Sequence, residues 1–144
     1  MKRLYISKKL NLSHRKAALM GDFINFCVDK LPLKSQSLEI HLVDDRKNNG
    51  VTTTAYYAPG KNLVVVYCKN RAVVDVLRSV AHELTHMMQD EQGMLVGEIQ
   101  DAGGFHEDQA NARAGELIKL YAKSHPQRKA IYENVKLKKL IIKS

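Results

Sequence analysis

The chain has 144 residues, 44% of them hydrophobic and 26% charged, with a formal net charge of +8. This is enough for one domain with one apolar core. No apolar run approaches the roughly 18–20 residues that span a bilayer, and two cysteines, Cys27 and Cys68, are too few for a disulfide scaffold.

The basic charge sits at the ends. Residues 1–36 carry eight Lys/Arg against two Asp, and residues 125–144 carry six against one Glu, whereas 81–117 holds eight acidic residues and one base. Basic ends suit contact with nucleic acid or an acidic membrane surface, or serve only solubility. The acidic block suits a divalent cation and hints at tolerance for basic side chains in a substrate. The N-terminal "MKRLYISKKLNLSHRK" has no apolar stretch or small-residue cleavage site, so no secretory signal and a cytoplasmic or other intracellular location are expected.

In chain order, Ala17, Met20, Ile24 and Cys27/Val28 recur at helical spacing between a Ser13 cap and the Pro32 stop. "SLEIHLV" (37–43) alternates as a half-buried strand, and "VTTTAYY" (51–57) is β-branched and aromatic. After a turn on Pro59-Gly60, "LVVVYC" (63–68) reads as a more buried third strand. From Ala72 to just before Gly93 an apolar stripe (Val73, Val76/Leu77, Val80/Ala81, Leu84, Met87/Met88) opposes a polar one (Asp75, Ser79, His82, His86, Gln89), as in an amphipathic helix. A glycine-bearing loop (93–104) leads to a second long helix, 105–123, with Ala110, Ala114, Leu117/Ile118 and Tyr121 inward. Pro126 opens a third segment. In the basic tail from about 134 to 144, Val135, Leu137 and Leu140/Ile141 alternate with lysines, compatible with a partner or membrane-surface helix. The order predicts one α+β domain over 1–144, with a small, mostly antiparallel three-stranded sheet packed on helices.

The amphipathic helix that starts at Ala72 contains "HELTH", His82-Glu83-x-x-His86. On a helix the two histidines differ by about 40° and stand one turn apart, so both imidazoles can bind one ion. Glu83 is rotated by about 100° from His82, beside the ion and within reach of its water, where it can act as general base. With six His and seven Glu, chance gives H-E-x-x-H in about one such chain in a hundred. A catalytic zinc needs a third protein ligand. Gln89 and Gln92 stand where one zinc class requires Gly and His, which excludes that class. Glu107 is in phase with the inward stripe of the following helix, where a carboxylate is costly unless paired or metal-bound. Asp108, His106, Glu98 and Asp101 are alternatives.

"HELTH" followed by "EDQANARAGELI" resembles the gluzincin metallopeptidases, most of all the compact ImmA/IrrE-type and HtpX-type domains. The likeness covers about residues 63–121 and rests on two motifs, the second similar to E-x-x-A-[ND]-x-x-A at Glu107, Ala110, Asn111 and Ala114. It implies a zincin-like fold, one Zn2+ per chain held by His82, His86 and Glu107, and peptide or protein substrates. It also implies that Asn111 supports a ligand histidine and that strand 63–68 is the edge along which a peptide pairs. A Tyr or His often stabilises the oxyanion in such enzymes; Tyr56, Tyr57, Tyr121 and His125 are candidates among which nothing in the sequence selects. A compact chain of this kind is compatible with a phage-encoded or a bacterial origin. The other reading is a metal-containing regulatory module, or one that binds DNA or protein through its basic ends.

Overall fold

The structure, a computed structural model, describes residues 2–35, 37–94 and 104–133. Strands β1 (Lys2–Ile6), β2 (Leu38–Val43), β3 (Ala55–Ala58) and β4 (Leu63–Tyr67) form one sheet, and the long helices are α1 (His14–Lys30), α2 (Val73–Glu91) and α3 (Phe105–Ser124). Short 3₁₀ turns lie at Lys8–Leu10, Lys47–Asn49 and Pro126–Tyr132.

The α+β class holds, but the sheet differs from expectation. It has four strands in the order β1-β2-β4-β3, and β1·β2 and β2·β4 are parallel; only β3·β4 is antiparallel. The connections give the reason. α1 joins β1 to β2 as a crossover, which makes those strands parallel, whereas a tight turn joins β3 to β4. That turn carries Pro59 and a Gly60 at φ +82°, closed by Lys61 N–H donating to the Ala58 carbonyl at 3.2 Å, as a type II turn requires. β4 is apolar on both faces: Val64 and Val66 join the main core, and Val65 packs with Val43 and Val51 on the other side. It therefore takes an internal position, and the half-buried "AYYA" of β3 is left at the edge. The expected second strand is displaced toward the C-terminus, starting at Ala55 rather than 51.

β1 was not expected. Only Leu4 and Ile6 lean on the core from a strand that also carries Lys2 and Arg3, and charge on an edge strand blunts unwanted pairing. Its partner β2 lies beyond α1, so no local pattern announces the pairing.

The helices follow their periodicity closely. The Ser13 hydroxyl accepts from Lys16 N–H and caps α1, which buries Met20, Phe23, Ile24, Cys27 and Val28. The core-facing stripes of α2 and α3 pack on each other, where Ala81, Ala110 and Ala114 are fully buried. Near the end of α2 the Glu91 carboxylate accepts from Lys34 and Ser35 N–H at 2.7 and 3.0 Å, which pins the chain leading into β2. Both cysteines are free and buried, and burial pushes the Cys68 thiol up to about 12 and that of Cys27 higher still. Among the described residues no helix is long and apolar enough to cross a membrane. Most of the loop 93–104 and the tail 134–144, with the partner helix expected there, lie outside the described residues.

Candidate metal centre

His82 and His86 point from the polar stripe of α2 toward the first turn of α3, where Glu107 meets them. The His82 Nε2 lies 2.9 Å from Glu107 Oε1 and the His86 Nε2 lies 3.1 Å from Oε2. One donor atom from each residue falls within 4.8 Å of the others, a group that can hold a metal ion. Two ligands on one tetrahedral zinc ion stand about 3.3 Å apart, given bonds near 2.0–2.1 Å, close to the two His–Glu107 separations. The two rings are nearly perpendicular, at 85°, which points different edges at one place. Of the alternatives to Glu107, Asp108 is not in the group, and Glu98 and Asp101 lie outside the described residues. The backbone carbonyl of His106 accepts a bond from Gln89, and its Nδ1 is buried without a partner among the described residues.

Gln89 sets the tautomer of His86. This fully buried side chain donates through Nε2 to the His106 carbonyl at 3.0 Å and to Gln109 Oε1 at 2.7 Å. A main-chain carbonyl only accepts, so the orientation of the amide is decided and its Oε1 faces His86 Nδ1 at 2.8 Å. His86 must therefore donate from Nδ1. A neutral His86 then turns the lone pair of Nε2 toward a carboxylate oxygen, and two acceptors face each other. Only a metal ion or a proton between them makes that contact favourable. On the other histidine, Asn111 of α3 hydrogen-bonds His82. Burial, and next the charge of His86, hold His82 below the ordinary histidine range, with Glu107 and Asn111 opposing.

Glu83 takes a different direction, toward β3. Its carboxylate is buried and accepts from the backbone N–H of Tyr57. Burial pushes it up to about 7; His86 opposes that rise and Glu107 adds to it. Glu83, His82, His86, Glu107 and Asn111 all open onto one cleft of about 590 Å³ between α2 and β3. The edge of the sheet on this cleft is β3, not strand 63–68, which is enclosed between β2 and β3. Because Tyr67 N–H bonds the Thr54 carbonyl, the antiparallel alternation turns the main-chain groups of Ala55 and Tyr57 away from β4, toward α2 and the cleft.

The four oxyanion candidates separate. The Tyr121 hydroxyl is buried against Asp22 at 2.7 Å, and the His125 side chain caps the 3₁₀ turn after α3; neither lines the cleft. Tyr56 and Tyr57 do line it, but their hydroxyls donate to the Asn49 carbonyl at 3.3 Å and to Asp90 at 2.6 Å. The cleft also holds Arg71, Arg78 and Ser79, which the sequence reading did not single out as functional. Ser79 is on the polar stripe of α2, but Arg71 precedes the helix and no period points to it.

No protein-family model, no curated protein and no solved structure matches this chain. The functional reading therefore stands on the geometry of the cleft and on the motif likeness already described.

Proposed function

We propose that the chain is a zinc-dependent metallopeptidase of gluzincin type and zincin-like fold, in which His82, His86 and Glu107 hold the ion and Glu83 is the general base. The observation that carries this reading is the convergence of His82 Nε2 and His86 Nε2 on the two oxygens of Glu107, with His86 committed as donor at its other nitrogen. When bound, zinc supplies Lewis acidity, which brings the pKa of a water near 7 and polarises a carbonyl. The Glu83 carboxylate takes the proton of the attacking water and returns it to the leaving amine. The Tyr57 N–H holds that carboxylate against β3, and the outward main-chain groups of Ala55 offer an extended peptide a strand to pair with. Asn111 and Gln89 fix the ring orientations of His82 and His86.

The test is direct. Protein purified without chelator should carry about one zinc per chain and cleave members of a broad peptide library. Absence of metal, or of any cleavage by metal-loaded protein, overturns the reading. Gln89→Leu should weaken zinc about 10–100-fold, the usual cost of losing an outer hydrogen-bond partner of a ligand histidine. Competition with a chromophoric chelator measures it, and unchanged affinity removes Gln89 from this role.

A further inference from the structure

The charges along the cleft are not evenly spread. Glu83 and Glu107 stand at the end where His82 and His86 converge, and a divalent ion there would offset both. At the other end are Arg71 and Arg78 with one carboxylate, Asp75. Asp75 pairs with Arg78, its Oδ1 lying 3.0 Å from Nη1. Arg71 has no such partner among the described residues. Its guanidinium donates to the Tyr67 carbonyl at 2.8 Å, the Asp75 carbonyl at 3.1 Å and the Ser79 hydroxyl at 2.8 Å, all neutral oxygens. Burial costs this side chain solvation and depresses its pKa. The cleft thus keeps a half-buried guanidinium, held by Ser79, whose Nε–H and one Nη1–H are left over for a ligand.

We propose that Arg71, held by Ser79 and seconded by Arg78, forms a subsite for a carboxylate of the peptide substrate, either an Asp/Glu side chain or the peptide's own C-terminus. The proposal rests on the peptidase reading and adds the substrate class to it. Ser79 precedes His82 by three residues and His86 by seven, about 4.5 and 10.5 Å along the helix. An extended peptide advances about 3.3 Å per residue, so the recognised carboxylate falls about two residues from the bond cleaved. The proposal runs against the expectation from the acidic 81–117 block, because among the described residues Arg71 has no carboxylate hydrogen-bonded to it. Arg71 is a specificity residue in this scheme, not a catalytic one.

The experiment uses peptides of one scaffold with Glu or Gln at each position near the scissile bond, each with a free or an amidated C-terminus. Binding is read by fluorescence anisotropy on the zinc-loaded full chain carrying Glu83→Gln, and cleavage is read separately on the wild type. The carboxylate member of a pair should bind at least about tenfold tighter, the scale of one charge-assisted hydrogen bond. Loss of the preference on amidation assigns it to the C-terminal carboxylate, and its persistence with internal Glu assigns it to the side chain; both support the subsite. Arg71→Gln should abolish the ratio between paired peptides, whereas Arg71→Lys, which keeps the charge without the fork, should retain part of it. This ratio is a readout that a purely structural Arg71 would not move. Equal binding of Glu and Gln peptides by the parent, or a preference that survives Arg71→Gln, overturns the proposal while leaving any cleavage by wild type intact. A carboxylate preference that Arg71→Gln removes, in a chain that cleaves nothing, supports the subsite and overturns the peptidase reading instead.

Discussion

Glu83→Gln is expected to leave zinc at about one per chain and to lower peptide hydrolysis about 10²–10⁴-fold, the range general acid–base catalysis supplies. The amide keeps the volume of the carboxylate and can still accept from Tyr57 N–H, so the surroundings need not move. It cannot take up a proton from water. Nor does it belong to the ligand group, so metal content should not follow activity down. Stability gives an independent control. In the metal-free chain the Glu83 carboxyl is raised from 4.5 to about 7, burial being the main cause. A carboxyl whose folded pKa exceeds its unfolded value binds a proton on folding, so its cost grows as pH rises from about 4.5 towards 7 and is complete above that. Metal-free Glu83→Gln should therefore melt no lower than wild type at pH 8, with the advantage vanishing near pH 4. Activity and zinc content on the same preparation check the main expectation. Hydrolysis retained within tenfold removes Glu83 as the base, and zinc lost along with activity makes its role structural. A wild type that binds zinc and hydrolyses nothing returns weight to the regulatory or binding module, whose basic β1 lies at the opposite sheet edge from the cleft.

Glu107→Gln is expected to cost zinc affinity more than the 10–100-fold typical of an outer-shell partner, because it removes the one anion among three proposed ligands. The same substitution should do little to the metal-free fold, since the Glu107 side chain is 37% exposed and sits at the start of α3. Added zinc should raise the melting temperature of wild type, by about 2.7 kcal/mol of stability at a hundredfold excess over Kd. The variant should show little of this rise. Chelator competition and melting with and without zinc measure the two effects. An undiminished affinity would hand the third position to another of the alternatives, of which Glu98 and Asp101 lie outside the described residues.

The parts of this site that were legible in the sequence are those written in helical phase. His82 and His86 share a face because they are four apart, and Glu107 falls on the stripe of α3 that faces α2 because it keeps step with Ala110, Ala114 and Tyr121. Each inference needs only the pitch of a helix, which every residue in it obeys. The sheet was less legible. β4 could be recognised as buried from its composition, but not which strands would flank it; that was decided by the crossover through α1 and by the turn at Pro59-Gly60 acting together. β1 is not legible because two core-facing residues make no period. The family resemblance implies 63–68 as the edge on the cleft, but the chain folds β3 outside it.

Gln89 shows the boundary most clearly. In the sequence it marks only the absence of a glycine, and so excludes one zinc class. In the folded chain it decides which nitrogen of His86 carries the proton, because the His106 carbonyl, seventeen residues on, orients its amide. Arg71 likewise acquires meaning only beside Ser79 and across from β3. By itself, then, the sequence determined which helix faces carry the imidazoles and carboxylates, since helical phase is a local property. The convergence of those faces, the tautomer of His86 and the placing of Arg71 in the cleft, with no carboxylate bonded to it among the described residues, were decided by tertiary structure, since each depends on hydrogen bonds and burial between segments far apart in the chain.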